Sequence, residues 1–131
     1  MSDSSGPGLG RSVQPISRNA VRRRLLVSAA EDYEPMFHAL WEFGVPNNPV
    51  PGAPSADEIK AALWELIEDG LVDLFRGRTP DGDFVPVAPD RRRAAFLAPE
   101  SWWVGEDPDH DVRYSTTPAG DEAVGRTSGE R

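Results

Sequence analysis

Apolar residues recur at helical spacing in the first third of the chain, up to a stretch that is rich in proline. They predict a first helix over 18–30 and a second over 33–43, with Asp32 as the N-cap of the second. Four prolines within 45–54 exclude both helix and sheet and predict a loop. The apolar positions of the first helix are Val21, Leu25 and Ala29.

The third predicted helix is the best marked, because both of its ends carry a signal. Ser55 and Glu58 form a capping box, in which each side chain accepts a bond from the other residue's backbone N–H. An apolar stripe follows along one side of the helix, which is predicted to continue to Asp69. Gly70 ends the helix. The stripe consists of Ile59, Leu63, Leu66 and Ile67.

Alternating residues and turn signals follow this helix and predict a hairpin. LVDLFRG (71–77) and DFVPV (83–87) are its strands, and the turn lies at 79–82. Residues 89–98 predict a short helix, and 105–111 predict a solvated acidic loop.

A third strand, VRYSTT (112–117), runs directly into a last helix. Thr117 is the predicted N-cap, and Pro118 occupies the first helical position, where the missing N–H costs little. The prediction is therefore a short three-stranded sheet in a mostly helical chain.

These elements predict an α+β, mostly α, single domain over 18–125. Residues 1–17 are rich in Ser, Gly and Pro and predict a disordered N-terminal arm, and 126–131 are expected to fray. The predicted core consists of Phe37, Leu40, Trp41, Ile59, Leu63, Leu66, Ile67, Leu71, Leu74 and Tyr114.

The stretch IKAALWELIEDGLVDLFRG resembles the recognition helix and first wing strand of winged helix-turn-helix regulators of the PadR and MarR kinds. Those families often read LxxLExxGLV here and YxLTPxGxxxL further on. The matching residues are Leu63, Leu66, Gly70, Leu71, Val72, Tyr114, Thr117, Pro118, Gly120 and Val124. The chain also resembles small uncharacterised actinobacterial proteins.

The resemblance covers about 55–125 and implies a winged-helix domain with a small antiparallel sheet. Two departures stand out: the proline-rich loop 45–54, and the segment 88–111, which makes an insertion in the wing. The resemblance also implies a homodimer that pairs through terminal helices, and DNA binding as one function. Its motifs are apolar and turn positions, so they mark a fold and name no activity.

The charge pattern argues against DNA reading by the third helix. The net charge is −8, and five arginines lie in the first 24 residues beside a single acid, so the remaining chain is more acidic still. Helix 56–69 holds five acids and one base, Lys60. Because phosphate contacts need cations or neutral donors, we expect this helix to avoid DNA.

The outward face of the third helix is instead a candidate protein-binding surface. Trp64 is a large apolar residue among polar ones there, which is typical of an interface anchor, although a solvated acidic helix is the plain alternative. Two further tryptophans lie in the wing insertion. The candidate partner-binding residues are Lys60, Trp64, Glu65, Glu68, Trp102 and Trp103.

Arginines near the start of the first helix are a second candidate site. They could follow a nucleic-acid backbone as a basic arm, or they could pair with the acidic body of the protein. The candidate arm residues are Arg18, Arg22, Arg23 and Arg24. The run Arg91 to Arg93 is expected to be a solvated helix face.

Catalytic and metal-binding patterns are missing from the sequence. The chain has no cysteine and two histidines, and His38 is expected at the surface. Asp107, Asp109 and Asp111 resemble the start of a calcium loop, but Val112 replaces the required glycine. We therefore expect no enzyme, no cofactor and no metal.

Three functions follow from the sequence in order of preference. The first is a non-catalytic interaction, adaptor or small regulatory protein that binds a protein partner. The second is a DNA-binding transcriptional regulator, and the third is an immunity-type inhibitor that masks a basic site. No apolar run is long enough for a membrane span or a secretory signal, which favours a cytoplasmic location.

Overall fold

The structure is a computed structural model that describes residues 14–76, 84–102 and 112–128. These ranges form an α+β fold with five α-helices and a four-stranded antiparallel sheet. The helices are α1 (Arg18–Glu31), α2 (Met36–Trp41), α3 (Ala56–Glu68), α4 (Arg92–Leu97) and α5 (Pro118–Ser128). The strands are β1 (Glu34–Pro35), β2 (Val72–Arg76), β3 (Val85–Pro86) and β4 (Val112–Thr116).

Helix α3 begins and ends where its sequence signals predict. The backbone N–H of Ser55 donates to Glu58 Oε1 at 2.8 Å, and the N–H of Glu58 donates to Ser55 Oγ at 3.1 Å. The first of these bonds lowers the pKa of Glu58, because it stabilises the carboxylate form. At the other end Gly70 has a φ of +78°, the left-handed conformation that favours glycine.

Strand β4 lies inside the sheet, whose order is β1-β4-β2-β3. It pairs with β2 over five residues, with Leu74 opposite Tyr114. Alternate residues of both strands are buried, as the period of two requires. The sheet has one strand more than predicted, because β1 is only two residues long and carries no alternation that a sequence pattern would reveal.

The predicted start of the second helix is wrong, because strand β1 occupies part of the predicted range. Asp32 is not its N-cap but follows the end of α1, where its Oδ1 accepts a bond from the Tyr33 N–H at 2.7 Å. Because Glu34 and Pro35 pair with β4, α2 begins only at Met36.

The core prediction is wrong for Trp41, whose side chain is 48% exposed. Phe43, just beyond the end of α2, is fully buried instead. Phe37, Leu40 and Leu71 are only partly buried. The remaining predicted core residues are buried, namely Ile59, Leu63, Leu66, Ile67, Leu74 and Tyr114.

The core lies between α1, α2, α3 and one face of the sheet. Leu25 of α1, Met36 of α2 and Leu63 of α3 have no exposed surface and belong to one continuous apolar cluster. Tyr114 reaches this cluster from β4, and its burial raises the pKa of its hydroxyl well above the ordinary value. None of the helices in the described ranges is long and apolar enough to cross a bilayer.

Each edge strand of the described sheet contains a proline. Strand β1 is Glu34–Pro35 and strand β3 is Val85–Pro86, so each has a single backbone N–H. A proline has no N–H to donate, and natural sheets use proline at edges for this reason.

Hydrogen bonds join the end of α3 to the start of α5. The residues that make them belong to the sequence motifs LxxLExxGLV and YxLTPxGxxxL. Thr117 Oγ1 donates to the Gly70 carbonyl at 2.6 Å and accepts from the Gly120 N–H at 3.1 Å, so Thr117 caps α5 as predicted. Gly120 lies so close to Leu71, the residue before β2, that a Cβ atom there would be 2.0 Å from the Leu71 carbonyl oxygen. The glycine of the TPxG motif is therefore required by close backbone packing.

We predict that Gly120→Ala lowers the free energy of unfolding by about 1–3 kcal/mol, because the added methyl group overlaps the Leu71 carbonyl. Gly125→Ala is the matched control on the same helix, where a Cβ would meet nothing within 4 Å. It should raise stability by about 0.5–1 kcal/mol through helix propensity. Urea denaturation measures both; equal effects would contradict the close approach.

We also predict that Leu63→Ala lowers the free energy of unfolding by about 2–5 kcal/mol, because Leu63 is fully buried in the core. Glu68→Ala, at an exposed position of the same helix, should change stability by less than about 0.5 kcal/mol. Comparable losses for the two variants in urea denaturation would mean that α3 is rotated about its axis.

Candidate functional site

Helix α3 has a second stripe of side chains beside its buried one. Asp57, the adjacent pair Lys60 and Ala61, Trp64 and Glu68 recur every three or four residues and so share one side of the helix. None of these five is fully buried. This side of α3 faces Arg93, Phe96, Leu97 and Trp102, which lie in the segment 89–102.

Helix α4 presents its own short stripe to α3. Arg93, Phe96 and Leu97 lie at positions i, i+3 and i+4, which places them on one face. Phe96 is only 4% exposed, whereas Leu97 is 59% exposed. Phe96 therefore anchors α4, and Leu97 remains available at the surface.

A 3-10 turn, Pro99–Trp102, closes the segment by folding back on α4. Ser101 Oγ donates to the Ala95 carbonyl at 2.7 Å, and Trp102 Nε1 donates to the Phe96 carbonyl at 2.8 Å. These two bonds satisfy carbonyl groups at the end of α4, which has no further helical turn to accept from. They also hold the Trp102 ring beside Phe96.

The two stripes and the turn enclose a groove of about 490 Å³, which we call the α3–α4 groove. Its apolar lining contains three aromatic rings, with Ala61 and Leu97 beside them. The Trp64 and Phe96 centroids are 5.1 Å apart, and the Phe96 and Trp102 centroids are 5.4 Å apart at an interplanar angle of 89°. These separations are those of favourable aromatic contacts.

Two cations cover the aromatic rings of the groove. Arg93 Cζ lies 4.4 Å from the centroid of Trp64, and Lys60 Nζ lies 4.8 Å from the centroid of Trp102. Both distances are within the range of cation–π attraction. The side chain of Arg93 is exposed, and within the described ranges it makes no ion pair.

Carboxylates form the remaining polar wall of the groove. Asp57 and Glu68 are exposed and make no ion pair with any residue that the structure describes. Glu65 differs, because Arg18 reaches its Oε2 at 2.5 Å and Arg22 reaches its Oε1 at 3.1 Å. The groove thus combines aromatic rings, its own cations and two carboxylates with free oxygen atoms.

The ion pairs of Glu65 belong to a cluster that joins α1 to α3. Arg18 and Arg22 are four residues apart on α1, and Glu65 and Asp69 are four residues apart at the end of α3. Arg22 Nη2 lies 2.5 Å from Asp69 Oδ2, and this bond raises the pKa of Arg22. Two of the four candidate nucleic-acid arginines are therefore engaged by acidic side chains.

The other two candidate arginines lie on a different side of α1. Arg23 and Arg24 line a shallow groove of about 450 Å³ together with Glu31 and Glu42. Arg24 Cζ is 5.2 Å from the centroid of Phe43. The four arginines thus do not form one continuous basic face in the described structure.

The structure brings five of the six candidate partner-binding residues to the α3–α4 groove. These are Lys60, Trp64, Glu65, Glu68 and Trp102, and the sixth, Trp103, lies outside the described residues. Trp64 was expected on an open face, but it is partly buried by α4.

The sequence reasoning missed the α4 side of the groove, with Arg93, Phe96 and Leu97. A weak signal was present, because a short amphipathic helix such as 89–98 needs a surface on which to bury its apolar residues. Nothing local in the sequence identifies that surface as α3.

Among the residues that the structure describes, the chemical groups outside the groove do not assemble into a recognisable reaction centre. His38 Nδ1 lies 2.7 Å from Glu34 Oε1, and its ring stacks on exposed Trp41 with centroids 5.4 Å apart. Among the described residues, no three His, Asp or Glu side chains are placed to hold a metal ion. His110 and the acidic loop 105–111 lie outside those residues.

Comparison of the chain with models of known protein families, with curated protein sequences and with solved structures finds no match.

We predict that Arg22→Gln lowers the free energy of unfolding by about 0.5–1 kcal/mol, because it removes two ion pairs between α1 and α3. Arg23→Gln, one position along the same helix, is the control and should have a smaller effect. The difference should shrink at about 1 M NaCl, where screening is strong. If the difference in unfolding free energy between the two variants persists at high salt in urea denaturation, its cause is packing and not charge.

Proposed function

We propose that the chain is a non-catalytic interaction module of winged-helix type, which binds a segment of a partner protein in the α3–α4 groove. The groove itself carries the proposal. Its aromatic floor, its exposed Leu97 and its polar rim correspond to the buried centre and wet edge of protein interfaces.

The rigidity of the groove favours binding of a partner side chain without large rearrangement. Phe96 is buried, and Trp102 is held by its hydrogen bond to the Phe96 carbonyl. Binding to a preformed aromatic surface costs less conformational entropy than binding to a surface that must first become ordered. A volume of about 490 Å³ offers room for a few side chains.

The winged-helix part of the proposal is supported by the order of elements. Three helices precede the strand pair β2 and β4, and a further helix follows, as the resemblance implies. Helix α4 and the turn Pro99–Trp102 occupy the position of the insertion in the wing. In this interpretation the insertion supplies one wall of the binding groove.

The same arrangement weighs against the alternative of a DNA-binding regulator that reads bases with α3. The major groove is about 12 Å wide and admits one helix. The outward side of α3 is already packed against Phe96 and Trp102, and its free carboxylates would face phosphates. The third candidate, an inhibitor that masks a basic site, would use the groove in the same way as an adaptor.

We predict that peptides selected for binding from a display library of random short sequences depend on the groove. Trp102→Ala should weaken such peptides by about tenfold or more, as expected for an aromatic anchor. Trp41→Ala is the matched control, since Trp41 is an exposed tryptophan that does not line the groove. Titration calorimetry measures the affinities, and circular dichroism verifies that each variant is folded.

Ala61→Gln tests the same site without removing an aromatic ring. Ala61 is exposed and lines the groove, so the longer side chain narrows the groove while the core stays intact. The proposed site would be refuted by peptides whose affinities for the Trp102→Ala and Ala61→Gln variants equal their affinity for the unsubstituted chain. Tight binding to duplex DNA in a gel shift at about 150 mM salt would support the regulator instead.

A further inference from the structure

We propose that the partner segment that enters the α3–α4 groove is basic and carries arginine. This inference rests on the proposed function and adds the chemistry of the partner to it.

The ring faces of the groove already bind cations. Trp64 is covered by Arg93 and Trp102 by Lys60, at 4.4 and 4.8 Å from the ring centroids. A partner guanidinium can make the same contact in place of Arg93, whose exposed side chain is free to move into water. The chain's own arginine thus shows where the partner's arginine would lie, and it competes for that position.

The carboxylates supply the second contact that an arginine needs. Asp57 and Glu68 line the groove, are exposed, and make no ion pair within the part of the chain that the structure describes. A guanidinium can stack on a ring and donate two parallel hydrogen bonds to a carboxylate at the same time, which an ammonium group cannot do. Arginine is therefore preferred to lysine.

The direction of α3 adds to this preference at one end of the groove. Glu68 is the last residue of α3, where the helix carbonyl groups concentrate negative potential, and α3 has no basic residue in its last turn. Arg22 compensates the neighbouring Asp69, whereas Glu68 has no such partner among the described residues. A cation from a partner would relieve this excess of negative charge.

The decisive experiment is titration calorimetry with short peptides of alternating arginine and serine, lysine and serine, or glutamate and serine. The arginine peptide should bind most tightly and the glutamate peptide not at all. Arg93→Gln should tighten binding of the arginine peptide by about two- to fivefold, because it removes the internal competitor. Arg91→Gln changes the net charge equally at a position outside the groove and should have a smaller effect.

The double variant Asp57→Asn with Glu68→Gln tests the carboxylates and should weaken the arginine peptide by about two- to tenfold. Glu31→Gln with Glu122→Gln removes the same charge elsewhere on the exposed surface and is the control. If Arg93→Gln weakens binding, or if the glutamate peptide binds more tightly than the arginine peptide, the inference is overturned.

The peptides selected from the random library separate this inference from the proposed function. Enrichment of arginine among groove-dependent peptides supports both. Acidic or neutral peptides that still depend on Trp102 leave the proposed function in place and refute the basic partner. Peptides that ignore the groove altogether refute both.

Discussion

Helix α3 is packed on two sides, and both the fold and the candidate site depend on this. Its apolar stripe, with Leu63 fully buried, joins the core, while Trp64 on the adjacent stripe meets Phe96 of α4. The ends of the helix are held separately, by the capping box at Ser55 and by the bonds around Thr117. These contacts define the orientation of the helix about its axis and so place the side chains of its outer stripe opposite α4.

Charge and packing act together on the outer side of α3. An acidic helix by itself would be a solvated surface, but α1 and α4 contribute cations from either side. Arg18 and Arg22 compensate Glu65 and Asp69, whereas Arg93 lies over an aromatic ring, and no described residue pairs with Glu68. Arginines therefore neutralise the acidic residues on the side of α3 that faces α1. The side that faces α4 instead combines carboxylates with aromatic rings.

Predictions from the sequence hold where local interactions determine structure. Helix α3, its caps and the start of α5 follow from residues close in the chain, and the structure confirms them. Trp41 was misplaced because the apolar spacing over 33–43 does not distinguish Trp41 from Phe43 as the buried residue. The start of α2 was misplaced because it depends on β1 pairing with β4, a contact between residues far apart in sequence. The α4 wall of the groove was not predicted, because its contact with α3 also joins residues far apart in sequence. Most of the α3 residues that line the groove were identified.

The prolines at both edges of the described sheet have a consequence for the protein at high concentration. An extended chain that approaches β1 or β3 finds one backbone donor and no ladder to continue. Strand addition to β1 or β3 is therefore disfavoured in the described sheet. Self-association of folded molecules through helical surfaces and side chains would be sensitive to salt and to single surface substitutions.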